Sequence, residues 1–213
     1  MMRTIAVTVA MLAGLMFTSS VRATLFDRGS GLIYDSDLNI TWTQNANLCV
    51  ALNNCIGPNG GTPGAMTWDN ANSWANNLVF GGFDDWRLAS ADVNGDKIPV
   101  DCKAAIINQT QCKDNEYDYM YIYNLGGTGN DKTGTQLPFN NIQSLYWGSE
   151  VNSNVASFIL FSNGVQFTSN KTATLAAWAV RNGDVLRVPE PRSILLLGIG
   201  LLGFRLARRW RKS

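Results

Sequence analysis

Short alternating stretches, one helical stripe and two long apolar runs divide the chain. Gly31-Leu32-Ile33-Tyr34-Asp35 and Leu38-Asn39-Ile40-Thr41-Trp42 read as two short strands on either side of an Asp35-Ser36-Asp37 turn. Trp68, Ala71, Ala75 and Leu78 then recur at helical spacing, with Trp74 beside them. Thr67 is placed to cap that helix, and Asp69 sits in its first turn, where the dipole favours a carboxylate. Gly81-Gly82 stops it, and Phe83 to Leu88 leads back toward the core. The C-terminal third returns to strands: Tyr146–Ser149, Ser157–Phe161, Val165–Thr168 and Leu175–Arg181. Asn163-Gly164 predicts a type I′ hairpin turn, which requires positive φ at both residues.

Ser90 to Pro138 follows neither period. A stretch this long without regular structure is either a functional loop or an insertion. Within it, Tyr117, Tyr119, Tyr121 and Tyr123 alternate with Asp118, Met120 and Ile122, as in a strand. Leu125-Gly126-Gly127 is equally suited to closing a short helix there, and the pattern leaves both open. A second irregular stretch, Asn53 to Gly64, is rich in glycine, proline and asparagine.

The two apolar runs lie at the ends. Met1-Met2-Arg3 is basic, Ile5 to Phe17 is apolar, and Val21-Arg22-Ala23 supplies small residues at the minus-three and minus-one positions. That order predicts a secretory signal peptide over residues 1–23, delivered to the Sec translocon and cut between Ala23 and Thr24. At the other end, the apolar span 194–207 is interrupted only by Arg205 and is followed by a basic end, 208–213. The span is shorter than the roughly 20 residues of an ordinary transmembrane helix. Arg205 can snorkel, and the basic end belongs on the cytoplasmic side of the inner membrane, which places the body outside.

Removing the ends changes the charge. Thr24 to Val188 carries nine Lys/Arg and fifteen Asp/Glu, a net of −6 against +1 for the whole chain. No basic patch is left to neutralise phosphates, so nucleic acid is excluded as an expected partner. The body, residues 24–187, is long enough for one domain with a real core. Its four cysteines, Cys49, Cys55, Cys102 and Cys112, read as disulfides in an exported chain, with Cys49–Cys55 and Cys102–Cys112 the simplest of three pairings. The chain has no histidine and no CxxC spacing, which argues against zinc.

The lack of histidine also excludes Ser-His-Asp and Cys-His catalysis. Asp84-Asp85 are adjacent carboxylates, and neighbours on a turn usually point apart and are solvated, so no catalytic role is expected of them. Asp92, Asn94 and Asp96 place oxygens at the first, third and fifth positions of an EF-type loop, which makes Ca²⁺ the one metal to weigh. Lys97 stands where that loop needs glycine and Lys103 where it needs its bidentate acid, so an Asx/Gly turn is the expectation and no cofactor is required. Most of the tryptophans read as core; Tyr117, Tyr119, Tyr121 and Tyr123 are the better candidates for an exposed ligand-binding surface.

Two resemblances add to this reading. Thr67-Trp68, Ala71, Trp74-Ala75, Leu78, Gly81-Gly82 and Asp85-Trp86-Arg87-Leu88 resemble the opening motif of the DUF1566 family, also called the Lcl C-terminal domain. Tyr146-Trp147-Gly148-Ser149 and Ala177-Trp178-Ala179-Val180-Arg181 resemble its later strands, while Ala89 stands where the family usually has proline. The resemblance implies an α+β, C-type-lectin-like domain, similar also to formylglycine-generating enzymes. Such a domain is a small twisted antiparallel sheet with one or two helices and a long loop region. Neither the Glu-Pro-Asn nor the Gln-Pro-Asp triplet of calcium-dependent sugar binders is present.

Val188-Pro189-Glu190-Pro191, the apolar span and the basic end resemble a PEP-CTERM sorting tail over 188–213. The resemblance implies transient anchoring in the inner membrane, processing by an exosortase-type enzyme, and delivery to the cell surface or extracellular matrix. The expected function is a non-enzymatic, lectin-like module for adhesion, associated with extracellular polysaccharide and biofilm. An enzyme of the formylglycine-generating type and a structural matrix component without a specific ligand are the alternatives.

Overall fold

The computed structural model describes residues 25–57, 61–98, 100–104 and 106–185. In chain order the elements are β1 (Leu25–Asp27), β2 (Leu32–Asp35), β3 (Ile40–Thr43), α1 (Leu48–Ala51), α2 (Trp68–Asn76) and β4 (Arg87–Leu88). There follow α3 (Gln109–Cys112), α4 (Glu116–Tyr119) with a π-helical turn over Met120–Asn124, β5 (Gly134–Gln136) and β6 (Phe139–Ile142). The chain closes with β7 (Leu145–Glu150), β8 (Val155–Leu160), β9 (Val165–Asn170) and β10 (Ala179–Asn182). The result is an α+β arrangement of antiparallel sheets with few, short helices.

The largest sheet has five strands in the order β1-β2-β3-β10-β4, so the last strand of the chain lies between two early ones. β7-β8-β9 form a second, three-stranded sheet, and β5-β6 a small ribbon. The stretch before β10 joins the larger parts. Leu175 bridges Met66 and Ala176 bridges Tyr146 before Trp178 turns into the core. The expected strand from Leu175 therefore becomes regular only at Ala179.

Aromatic burial explains the packing. Trp178 is fully buried with its ring centroid 5.0 Å from Trp42, 5.1 Å from Phe139 and 5.4 Å from Tyr146. A buried indole needs a partner for its N–H, and Trp178 Nε1 donates to the Thr43 carbonyl at 2.8 Å. Trp147 Nε1 likewise donates to the Met66 carbonyl at 2.8 Å. On α2, Ala71, Trp74 and Ala75 are buried, and the Thr67 hydroxyl accepts the Asn70 amide at 3.4 Å as its cap.

One expectation is corrected, and one left open is decided. Leu160 pairs with Val165 across a four-residue loop, and only Gly164, at φ +66°, is left-handed; Asn163 is not. The cause is Phe161, which is fully buried and is drawn out of the hairpin into the core, where its N–H donates to Ser144. The tyrosine run is helical. Tyr117, Met120 and Tyr121 pack into the main core, while Tyr119 and Tyr123 pack against the Cys102–Cys112 bridge.

Both cysteine pairs are bridged as Cys49–Cys55 and Cys102–Cys112. At the end of the fold, Arg28 holds Asp184 with two hydrogen bonds, at 2.9 and 2.6 Å, and Val185 is buried against the α2 side of the core. Among the described residues no helix is long and apolar enough to cross a membrane, and the span 194–207 lies outside them.

Tyr121 lies against Gly127 and Gly164, and a Cβ at either glycine would run into its ring. Gly127 has no left-handed φ to complicate a substitution. Gly127→Ala is expected to destabilise the fold by about 2 kcal/mol through overpacking. Urea denaturation measures it, and an unchanged midpoint would show that Tyr121 is free to swing outward.

Candidate functional site

The expected tyrosine surface does not form. Tyr117, Tyr119 and Tyr121 are almost entirely buried, which leaves them no ring face for a ligand; Tyr123 is half-buried and packs at a tilt against Tyr119, ring centroids 4.8 Å apart. Two of their hydroxyls serve the interior: Tyr121 donates to the Asn130 carbonyl at 2.6 Å and Tyr119 to Asp37 at 3.1 Å. Ala23 and Thr24, at the expected signal cleavage, and Val188, Pro189, Glu190 and Pro191, at the expected processing site, lie outside the described residues.

The loop at Asp92, Asn94 and Asp96 is an array of Asx turns. Asp92 accepts the amides of Gly95 at 2.9 Å and Lys97 at 2.8 Å, and Asp96 accepts that of Ile98 at 2.7 Å. Lys97 adopts φ +67°, the conformation a glycine would take more easily. The acid that sequence spacing could not supply comes from elsewhere. Asp114, next to the C-terminus of α3, accepts the Asn94 amide at 2.8 Å, and ligand oxygens of Asp92, Asp96 and Asp114 lie within 4.8 Å of one another. Asn94 itself is used internally, its amide group bonding to Asp96 at 3.2 Å.

Beside this loop runs a groove of about 440 Å³ between the start of α2, β4 and β7. Its floor is the ion pair of Arg87 with Glu116. Arg87 Nη1 and Nη2 reach the two Glu116 oxygens at 2.8 and 2.6 Å, and the Ser90 amide adds a third bond to Glu116 at 2.7 Å. Burial opposes the Arg87 charge, but Glu116 outweighs it and holds the guanidinium above its ordinary range. Arg87 also binds Asn182 Oδ1 through Nε at 3.3 Å and Nη2 at 2.8 Å. Trp68 forms one wall, fixed by its Nε1 donating to Gly148 at 2.9 Å, with Lys171 Nζ 4.1 Å from its ring centroid. Lys171 is in turn paired with Glu150 at 2.9 Å. Sequence reasoning placed Trp68 and Arg87 in a motif but gave no sign of the groove they share.

Ser90 and Ser149 are the hydroxyls of the groove, 2.7 Å apart and bonded to one another and to backbone amides.

Asp118 is buried beneath the second disulfide loop and accepts the Cys102 amide at 3.0 Å. Burial pushes its carboxyl up to about 6, against the opposing pull of the Cys102 amide and Gln166. The unfolded carboxyl titrates near 4. The stabilisation from native-state protonation is therefore complete below about pH 4 and is lost as pH rises through about 6. Asp118→Asn keeps an acceptor for Cys102 and removes the buried charge. It is expected to raise stability at pH 7.5 by about 2 kcal/mol and to flatten the slope between pH 4 and 6. Denaturant melts at pH 4, 6 and 7.5 measure both, and an unchanged slope rejects the assignment.

Five of the six oxygens of Asp92, Asp96 and Asp114 already accept N–H bonds. Millimolar Ca²⁺ is accordingly expected to leave the melting temperature unchanged within about 1 °C. A rise of several degrees that vanishes in Asp114→Asn would instead make the cluster a metal site.

Comparison with protein families matches residues 187–212 to the PEP-CTERM protein-sorting motif. Comparisons with curated proteins and with solved structures returned no match. The motif implies export, a transiently membrane-anchored C-terminal tail, processing by an exosortase and delivery to the cell surface.

Proposed function

We propose that this is a non-enzymatic surface or matrix protein whose body is a C-type-lectin-like, DUF1566-type module for extracellular polysaccharide. The observation that carries the proposal is the sorting motif at residues 187–212, which directs the chain to the compartment where such polymers are found. The body adds support in three ways. An early and a late strand pair at the centre of its main sheet, short helices pack against that sheet, and a polar groove opens beside the long loop. Its Asp/Glu excess disfavours nucleic acid.

The formylglycine-generating alternative requires a reactive thiol. Both disulfides engage all four cysteines, which speaks against it. A structural component without a specific ligand is the remaining rival, and retention on polysaccharide separates the two.

The test has two arms. Protein recovered from the cell surface is expected to be retained on the host's own exopolysaccharide, and mass spectrometry should show that it ends before Arg192. Replacing Pro189, Glu190 and Pro191 with alanine is expected to leave full-length chain in the inner membrane. Proline lacks an amide donor and disfavours the helical conformation in the residue before it, and the alanine change removes both restraints. Released material that still contains Arg192 to Ser213 rejects the sorting half. Protein that passes the polysaccharide unretained rejects the binding half.

A further inference from the structure

We infer that the groove between α2, β4 and β7 binds a neutral saccharide segment, held by the side-chain amides of Asn72 and Asn182 against the wall of Trp68. The inference rests on the polysaccharide-binding reading and specifies where binding occurs and which class of sugar is taken.

The charge state of the floor decides the class. A guanidinium has five N–H donors, and it recognises carboxylate or phosphate when some of them are free. In Arg87 all five are engaged: Nε with Asn182, Nη1 with Leu88 and Glu116, and Nη2 with Glu116 and Asn182. The floor offers an acidic ligand neither a spare donor nor an unneutralised charge. Its surroundings are acidic. Asp92 and Glu150 line the groove, and Asp96 and Asp114 stand beside Asp92. Lys171, the cation nearest the Trp68 wall, is neutralised by Glu150. A uronate or phosphate entering here would lose water and meet like charge.

The groups left over fit a ligand with many hydroxyls. The Asn72 side chain, half-buried on α2, makes no hydrogen bond to any other described residue. The Asn182 amide nitrogen is also unengaged among the described residues, because only its oxygen is held by Arg87. The Asn72 amide presents donors and an acceptor side by side and so can bridge neighbouring hydroxyls that each donate and accept, while Asn182 adds its N–H donors. Asn182 is oriented in advance by Arg87, and Trp68 by Gly148, so little side-chain freedom remains to be lost on binding. The volume of about 440 Å³ lies within the range of about 300–1,000 Å³ usual for small-ligand sites, enough for a short segment of a polymer.

The test uses the full chain purified in detergent, titrated calorimetrically with neutral gluco-, manno- and galacto-oligosaccharides and, separately, with oligogalacturonate. At least one neutral oligosaccharide is expected to bind and the oligouronate is not. Asn72→Ala, a change that favours the helix, should weaken the neutral ligand about tenfold, and Asn72→Trp should abolish its binding by filling the groove. Preference for the uronate, or neutral binding unaffected by both Asn72 variants, overturns the inference. In that case retention of the wild type on whole exopolysaccharide still upholds the broader reading. Loss of that retention overturns both.

Discussion

The Glu116 carboxylate is the joint on which the arrangement turns. Its side chain is 3 % exposed, and it receives the Arg87 guanidinium from β4 and the Ser90 amide from the start of the long loop. Arg87 in turn reaches Asn182 on β10. One anion thus fixes an edge strand, a central strand and the first turn of α4 relative to one another. Burying a charge is costly unless its partner and remaining lone pairs are satisfied, and here three donors meet the two oxygens. Because the charge is balanced internally, the joint adds no net positive charge to the acidic groove above it.

Much of the frame was legible in the sequence because it depends on local rules. The Thr67 cap, the stripe of Ala71 and Ala75, and the strands around Asp35 each follow from spacing over a few residues. The pairing of nearby cysteines is of the same kind. The tyrosine run shows where such rules run out. Tyr117 and Tyr121 lie four apart, as do Tyr119 and Tyr123, so a helix buried on two faces produces the same alternation as a strand. The hairpin at Asn163-Gly164 was misjudged because the pull of the core on Phe161, a tertiary effect, overrode the turn signal.

The candidate site was the least legible part. Arg87 and Glu116 are 29 residues apart, Trp68 and Gly148 are 80 apart, and nothing in their local surroundings signals either contact. Asp114 joins Asp92 and Asp96 from beyond the disulfide loop, where a fixed-spacing template does not look. What the sequence did carry was its destination. A sorting tail is read by its linear order of Pro-Glu-Pro, apolar and basic segments, and needs no fold to be recognised.

The clasp of Arg28 on Asp184 and the burial of Val185 leave the domain on a short leash. The sorting motif begins at residue 187, and only eight residues separate Val185 from Ile194, where the apolar span starts. At full extension that leash measures about 30 Å, roughly the thickness of a small domain. Asn182, on the lip of the groove, is three residues from its attachment point. On the proposed polysaccharide-binding reading, a polymer approaching Asn182 while the tail is embedded would enter a gap no deeper than that leash. Severing the leash would remove that steric ceiling, so the timing of release would also set when long chains gain full access to that face of the molecule.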